Sequence, residues 1–410
     1  MRKRRRSRPK PRIKKRFKPK RQIGVGGLKI GRAEKRYLSE VLRSNRLSYG
    51  PMTRRFEAEW AKAHACDFAV FCNSGTSALH IALAALKEEY GWKDGDEVLV
   101  PAVTFVATSN IVIHNRMKPV FVDVDPKTYN IDPELLEEKL GKRTRAIIPV
   151  HLLGLPCDMD PIMSFAKRHK LRVIEDSAET TFARYKGRSV GSFGDIGCFS
   201  TYVAHYIVTG VGGLATTNDP DLAVRLRSLM NHGRDSIYIS IDDDKGAKGV
   251  RLKEIVARRF SFVSLGHSFR ATELEAALGL GQFERRHRIV NTRQRNARRL
   301  TRALKDLKDH IQLPTIPSGR DHMFMMYPIV LKNETKEGLV HFLEESGIET
   351  RDLLPLINQP VYRRMFGNIE KRYPVARWLN ASGFYIGSHQ NLGGDELGFV
   401  IDRIHDYFRR

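Results

Sequence analysis

The sequence contains no lysine between Lys186 and Lys245. This gap includes the stretch Gly197–Gly213, which is largely apolar, ends in closely spaced glycines and is typical of a segment that presents one reactive side chain. Because the gap holds no lysine, this stretch cannot supply an amine nucleophile. Its one ionisable side chain near neutral pH is that of His205.

Long apolar runs are also absent. No stretch reaches the roughly 18 apolar residues that a transmembrane helix needs. The basic N-terminus is not followed by the apolar core of a signal peptide, so we expect a cytoplasmic protein without membrane insertion.

Cysteine is scarce, and its four occurrences are scattered at Cys66, Cys72, Cys157 and Cys198. None forms a Cys-x-x-Cys pair, and no Cys/His spacing matches a zinc site, so we predict no metal centre. Isolated cysteines in a chain of this length indicate free thiols in a reducing compartment.

Acidic residues are missing from residues 1–22, which hold fourteen of the 71 lysines and arginines and so more than half of the net charge of +25. Dense like charge with three prolines predicts a disordered basic tail. An arm for nucleic acid or an anionic membrane surface is the alternative. The milder basicity of the remaining chain suits an anionic small substrate, such as a nucleotide diphosphate, and does not require nucleic acid.

Short apolar strands alternate with helical patterns through the first two thirds of the chain, which predicts an α/β fold with a mostly parallel, seven-stranded sheet. We assign residues 23–285 to this large domain. A helical run over Glu273–Leu304 is expected to connect it to a smaller α+β domain, so that residues 286–410 form the connector helix and C-terminal domain. Strand patterns at Met326–Leu331 and Phe384–Gly387 fall in the smaller domain.

Two features fit a phosphorylated ligand at one sheet edge. Ser74-Gly-Thr-Ser77 lies between a predicted strand and helix, where backbone N–H groups and hydroxyls can form a phosphate cup, although an ordinary helix cap explains most such sequences. Asp176 ends a predicted buried strand, where it can hold a protonated pyridine nitrogen. A helix cap or a surface salt bridge is the alternative for Asp176.

Ser200 and His205 lie five residues apart, before a turn formed by Gly210, Gly212 and Gly213. These glycines allow the chain to return tightly beside a ligand. On local evidence alone, His205 is more readily explained as a hydrogen-bonded core residue than as a catalyst.

The order of motifs resembles the DegT/DnrJ/EryC1/StrS family of sugar aminotransferases, which have the fold type I pyridoxal-phosphate (PLP) fold. The resemblance covers about residues 23–405. It rests on Gly50-Pro51 with Phe56-Glu57, Ser74–Leu79, Gly95–Val98, Pro101–Ala107, Pro119–Asp125, Pro149–Gly154, Glu175-Asp176, Gly191–Asp195, Asn231–Gly233 and Arg270–Gly279.

The resemblance implies a homodimer and a set of cofactor contacts. Gly75, Thr76, Ser77 and Ser200 would hold the cofactor phosphate, Phe105 would stack on the pyridine ring, Asp176 would pair with the ring nitrogen, and Glu179 would lie near the ring face or the substrate.

Two positions depart from the family pattern. His205 occupies the usual place of the Schiff-base lysine, before a turn that reads Gly210-Val-Gly-Gly213 instead of Gly-Glu-Gly-Gly. Ser268 replaces the asparagine that usually reaches the cofactor of the neighbouring subunit, which puts that contact in doubt.

A histidine at the lysine position resembles the PLP-dependent 3-dehydratases of 4-keto-6-deoxy nucleotide sugars. We therefore expect pyridoxal or pyridoxamine phosphate to bind non-covalently, and His205 to serve as a general base on a keto nucleotide sugar. Ordinary sugar aminotransferase activity and a catalytically inactive sugar-nucleotide-binding protein remain as alternatives.

Overall fold

The computed structural model describes residues 17–238 and 243–409, which form helices packed around two main sheets. The strands are β1 (Phe68–Cys72), β2 (Glu97–Pro101), β3 (Lys118–Val122), β4 (Thr144–Ile147), β5 (Arg172–Asp176), β6 (Arg184–Tyr185), β7 (Arg188–Ser189), β8 (Ile196–Ser200), β9 (Gly213–Thr217), β10 (Ile311–Gln312), β11 (Met326–Leu331), β12 (Thr350–Asp352) and β13 (Gly383–Gly387). The helices are α1 (Arg32–Ser44), α2 (Pro51–Ala63), α3 (Gly75–Glu89), α4 (Val106–His114), α5 (Leu136–Lys139), α6 (Met159–His169), α7 (Pro220–Met230), α8 (Gly249–Arg258), α9 (Glu273–Phe283), α10 (Arg286–Ala303), α11 (Glu337–Glu345), α12 (Pro360–Phe366), α13 (Pro374–Ser382) and α14 (Gly394–Phe408).

The larger sheet has seven strands in the described part of the chain, in the order β1-β9-β8-β5-β4-β2-β3. Neighbours from β3 through β8 run parallel, whereas β9 is antiparallel to both β1 and β8. This confirms the predicted α/β class, with a mostly parallel sheet of seven strands. Since ligands of open α/β sheets bind beyond the carboxyl ends of the strands, the ends of β5 and β8 mark the candidate ligand-binding edge.

A buried carboxylate fixes the start of β8 against β5. The backbone N–H groups of Gly191, Phe193 and Gly194 donate to Glu175 at 2.6–2.8 Å, and His151 Nε2 lies 3.0 Å from the same carboxylate. A Cβ on Gly191 would lie 2.3 Å from the Phe199 ring, so only glycine fits there. This loop therefore helps to set the register that places Cys198 opposite Asp176 and Ser200 two residues further along β8.

The second sheet has four antiparallel strands in the order β10-β11-β13-β12. Its apolar side packs with α11 and α14 into a separate core that includes Ile329, Leu339, Phe384 and Ile404. The exact domain boundary stays a prediction, and the predicted helical run Glu273–Leu304 is helical apart from one break. It forms α9 and α10, which are separated at residues 284–285, where an alanine-rich buried stretch gives way to an arginine-rich one.

Residues 1–16 of the predicted basic tail lie outside the described residues. From residue 17 onward the segment contacts the C-terminal part of the chain, with the Phe17 ring 6.1 Å from that of Phe399. The four cysteines are free and buried. In the described ranges, no helix combines the length and apolar character needed to cross a membrane.

Candidate active site

The N-terminus of α3 forms one wall of the sheet edge. Ser74 caps the helix, because its hydroxyl accepts from the Ser77 backbone N–H at 3.0 Å. The Ser77 hydroxyl donates to Asn73 at 2.7 Å. Backbone N–H groups at the start of a helix have no intrahelical acceptor, and those of Gly75 and Thr76 find none among the described residues. They remain available to an anion.

Close packing of three chain segments places this N-terminus against β8. A Cβ on Gly75 would lie 2.8 Å from Cβ of Ser200, and one on Gly213 would lie 2.4 Å from the Gly75 backbone nitrogen. Both contacts are shorter than folded chains tolerate, so glycine is required at both positions. The structure thus brings Gly75 and Ser200 together, as their predicted shared role requires.

Asp176 lies at the carboxyl end of β5 and is 4% exposed. Its carboxylate accepts hydrogen bonds from the Thr108 hydroxyl at 2.8 Å and the Ala178 backbone N–H at 3.1 Å. No lysine or arginine within the described ranges forms an ion pair with it. Burial raises the pKa of Asp176, whereas the Thr108 hydrogen bond lowers it. A buried carboxylate without a cation fits a protonated ring nitrogen as its missing partner.

The segment after β2 contributes an exposed aromatic ring to the same edge. Phe105 immediately precedes α4, and its side chain is 58% exposed. One helical turn later, Thr108 donates to Asp176, which ties α4 to the end of β5. An exposed ring in a segment anchored to the buried carboxylate is compatible with the predicted stacking role.

Glu179 follows Asp176 in the loop after β5. Its carboxylate accepts from the Leu153 backbone N–H at 2.8 Å, and Leu153 adopts a left-handed φ of 56°. Burial raises the pKa of Glu179 to about 7, helped by the nearby Asp176 charge and opposed by the Leu153 hydrogen bond. Glu179 can therefore hold or release a proton near neutral pH.

His205 sits in the return loop between β8 and β9 and is partly buried. Its Nδ1 lies 3.3 Å from the Tyr202 carbonyl oxygen and 3.5 Å from the Ser200 hydroxyl. Because a carbonyl oxygen can only accept, Nδ1 carries the proton in the neutral ring. Nε2 then holds the lone pair, and no hydrogen-bond partner for it occurs among the residues described.

Burial lowers the pKa of His205 to about 4, the positive charge of Arg293 lowers it further, and the Tyr202 carbonyl opposes both. The imidazole is therefore neutral at pH 7. The predicted tight return is confirmed, since Gly210 and Gly212 have φ values of 92° and 154° and a Cβ on Gly212 would lie 2.4 Å from the Thr201 hydroxyl.

The structure does not bring Ser268 into contact with the other predicted site residues. Ser268 is exposed, pairs with Asn231 across an isolated bridge and accepts a hydrogen bond from Arg270 at 2.9 Å. The neighbouring Phe269 carbonyl accepts from the Asn73 N–H at 2.7 Å, so this loop does reach the segment before α3.

Sequence reasoning missed Thr108 and Arg293. Thr108 directly follows the Pro101–Ala107 motif. Its hydrogen bond to Asp176 depends on how α4 packs, which the motif does not predict. Arg293 lies in a helix with many arginines, and nothing in the sequence distinguishes it from those that face solvent.

Comparisons with known proteins agree with this arrangement. GDP-perosamine synthase of Caulobacter vibrioides is 34% identical over 93% of this chain and 96% of its own. The dTDP-4-dehydro-2,6-dideoxy-D-glucose 3-dehydratase of Saccharopolyspora spinosa is 32% identical over 90% of this chain and 83% of its own. The E. coli GDP-4-keto-6-deoxy-D-mannose-3-dehydratase, solved with bound hydrated PLP, superimposes with a TM-score of 0.84 at 26% identity, covering 93% of this chain and 98% of that one.

These likenesses and the strand order identify the fold as that of the fold type I PLP-dependent enzymes, as the motifs predicted. The model of the DegT/DnrJ/EryC1/StrS aminotransferase family matches residues 28–405. The chain therefore belongs to this family of enzymes.

Proposed function

We propose that this enzyme removes the 3-hydroxyl group of a keto nucleotide sugar, with His205 as the general base and a non-covalently bound vitamin B6 cofactor. The observation that carries the proposal is His205 itself. Its imidazole is neutral, its Nδ1 lies 3.5 Å from the Ser200 hydroxyl, its Nε2 has no hydrogen-bond partner among the described residues, and its stretch of chain contains no lysine. The 3-dehydratases among the relatives support this choice of reaction.

The residues present fit the cofactor. Gly75, Thr76, Ser77 and Ser200 would hold its phosphate, Asp176 would pair with the ring nitrogen, and Phe105 would cover one ring face. When bound, the cofactor supplies an electron sink for the charge that develops on the reacting carbon. Because no lysine occupies the usual position, these contacts are all non-covalent.

The protein's own part in the reaction is to move protons. His205 takes a proton at Nε2, and the resulting imidazolium is stabilised at Nδ1 by the Tyr202 carbonyl. Glu179, whose pKa is about 7, can give a proton to the departing hydroxyl. A positioned base of this kind contributes about 10²–10⁴-fold in rate.

Transamination of a keto nucleotide sugar is the second candidate, and the 34% identity to a GDP-perosamine synthase favours it. An imidazole can serve the proton transfers of either reaction. A catalytically inactive sugar-nucleotide-binding protein is the third, because His205, Val211 and Ser268 all depart from the family pattern.

We also propose that the enzyme works as a homodimer. The segment from α8 to the loop before Ser268 exposes a cluster of large apolar side chains, with Val250 82%, Phe260 76% and Leu265 89% exposed. Exposed apolar surface of this extent marks an interaction site, and a second copy would bury it. The partner would then present its own 266–270 loop, including Ser268, toward the site.

The test is reconstitution with pyridoxamine phosphate and glutamate, followed by a panel of 4-keto-6-deoxy nucleotide sugars. Mass spectrometry separates the two products. Removal of the 3-hydroxyl group gives a 3-deoxy keto sugar that has lost one oxygen atom; glutamate supplies the two electrons by restoring the amine form of the cofactor, and the nitrogen leaves as ammonia. Transamination instead gives an amino sugar. We expect the 3-deoxy keto sugar, and we expect His205→Ala to lower turnover at least about a hundredfold. Amine-bearing product would favour the second candidate, and an unreacted panel despite bound cofactor would favour the third. Full turnover by His205→Ala would rule out His205 as the base.

A further inference from the structure

A cleft of about 680 Å³ lies between α2, the β6–β7 hairpin and the start of α10. Four basic side chains from these three elements line it, namely Lys62, Arg184, Arg286 and His287. Phe182 and Phe283 form its apolar wall. The volume falls within the range of small-molecule sites.

This cleft is separate from the candidate active site. Consecutive side chains of a strand point to opposite faces of the sheet. The last two residues of β8, Phe199 and Ser200, therefore face the cleft side and the active-site side of the sheet, respectively. Ser200 faces Gly75 at the start of α3. Phe199 packs instead against Trp60, at 5.4 Å between ring centroids, and Trp60 packs against Phe182 at the cleft wall.

The cations of the cleft lack counter-charges in the described part of the chain. No carboxylate lies within 4 Å of Lys62, Arg184 or Arg286, and the Arg286 guanidinium donates only to the Phe283 carbonyl and covers its ring. The single acid in the lining, Glu59, is paired with Arg55 at 2.8 Å.

Holding these charges together costs free energy. Like charges around a concave surface repel one another and concentrate a positive potential inside it. The first turn of α10 adds to this cost, since it contains Arg286 and Arg288 and no acid, although acids are the residues favoured at that end of a helix. A bound anion would relieve both effects.

We propose that this cleft binds a small molecule with at least two phosphate charges. Three different elements contribute Lys62, Arg184 and Arg286, so a ligand that contacts all three must span the cleft. A diphosphate can do this better than a single small anion. Charge-assisted hydrogen bonds from arginine suit phosphate oxygens in particular. The apolar wall formed by Phe182 can cover an organic group attached to the phosphates.

The experiment measures binding of inorganic pyrophosphate to the full chain by equilibrium dialysis at low salt. The cleft variant is Arg184→Gln with Arg286→Gln. The control, Arg295→Gln with Arg298→Gln, removes the same charge from exposed positions of the same helix. Pyrophosphate that binds at the active site is common to both variants, so the difference between them reports on the cleft.

We expect the cleft variant to lose one equivalent of bound pyrophosphate, or to bind it at least about tenfold more weakly, while the control matches the unaltered protein. Circular dichroism establishes that both variants are folded. Equal stoichiometry and affinity in the two variants, or no binding by the unaltered protein at millimolar pyrophosphate, would overturn the proposal. Neither outcome depends on turnover of a keto sugar, so the proposed function is tested independently.

Discussion

Arg293 donates a hydrogen bond to the main-chain carbonyl oxygen of His205 across 3.2 Å, and its own side chain is fully buried. Its other acceptors are the Met325 carbonyl at 2.6 Å and the Gln390 side chain at 3.1 Å, and its guanidinium lies over the Tyr206 ring. All of these partners are uncharged. Burial lowers the pKa of Arg293 to about 10, but the group remains cationic at pH 7. It therefore joins the second sheet to the loop of His205, and its charge adds to the burial that lowers the pKa of that imidazole.

The first prediction concerns the charge of Arg293. Replacing it with methionine removes the positive charge that helps to lower the pKa of His205. The acid limb of the pH–rate profile should move upward from about pH 4 toward the ordinary histidine value of about 6.5. Arg293→Lys keeps the charge and should leave that limb near its original position.

Both Arg293 variants lose hydrogen bonds to buried carbonyl groups. The free energy of unfolding of each, measured by urea denaturation, should therefore fall by about 1–3 kcal/mol. A merely structural role for Arg293 would give equal pH profiles in the two variants. An unchanged profile for Arg293→Met would therefore contradict the electrostatic role, whatever the loss of stability.

The second prediction concerns acid sensitivity. His64 is fully buried, and burial lowers its pKa to about 4. Its Nδ1 lies 3.0 Å from the Trp60 carbonyl oxygen, and its Nε2 accepts from the Phe182 N–H at 3.4 Å, so the native state holds a neutral ring. Between pH 6.5 and 4 the unfolded chain binds a proton that the folded chain does not, and stability falls as the pH falls.

This single histidine should account for about 2 kcal/mol of lost unfolding free energy between pH 7.5 and pH 5. Urea unfolding at the two pH values measures the loss. His64→Gln should be less stable at pH 7.5 but should show a smaller decrease on acidification. His341→Gln is the control, because His341 is exposed and pairs only with Glu345. The same decrease in all three proteins would show that His64 is not the source.

The third prediction tests Asp176 and the residue that orients it. Asp176→Asn keeps the acceptor for the Ala178 N–H but removes the negative charge that, in the proposed function, would pair with the ring nitrogen. We expect pyridoxamine phosphate to bind about ten- to a hundredfold more weakly. Thr108→Val removes one hydrogen bond to the carboxylate and should have a smaller effect in the same direction.

A matched control for Asp176→Asn is Asp123→Asn. Asp123 is also buried, and its carboxylate accepts from the Val375 and Ala376 N–H groups at 2.9 Å at the start of α13. It should lower the free energy of unfolding and leave cofactor affinity unchanged. Equal losses of cofactor affinity in both variants would indicate a general effect on folding rather than a cofactor contact.

Much of this arrangement could be predicted from the sequence because it follows local rules. The apolar strands and the Ser74 cap follow from residue pattern, and the tight return after His205 follows from its glycines. Neither β8 nor β9 was predicted as a strand, because Ile196–Ser200 and Gly213–Thr217 are short and lack the alternation of a half-buried strand. The antiparallel place of β9 between β1 and β8 is decided by tertiary packing.

The partners of the site residues were harder to predict for a related reason. The pKa of His205 depends on Arg293, which lies 88 residues further along the chain, and Asp176 depends on Thr108, 68 residues before it. No local pattern reports such contacts. The separation of α9 from α10 likewise occurs without proline or glycine at residues 284–285, so no helix-breaking residue predicts it.

The last prediction restores the amine that the sequence lacks. In His205→Lys, a primary amine would occupy the loop beside Ser200. Its low-dielectric surroundings and the nearby positive charge of Arg293 both favour the neutral, nucleophilic form of the amine. Incubation with pyridoxal phosphate and borohydride should then attach the cofactor to residue 205, and peptide mass spectrometry should locate it there. The unaltered protein should bind pyridoxal phosphate but release it on denaturation after the same treatment.

His232→Lys provides the control, because His232 lies in the exposed turn that contacts Arg270 and a lysine there should gain no such label. Labelling of His205→Lys no greater than that of the control would mean that residue 205 does not face the cofactor aldehyde, and the proposed role of His205 as the base would fall with it.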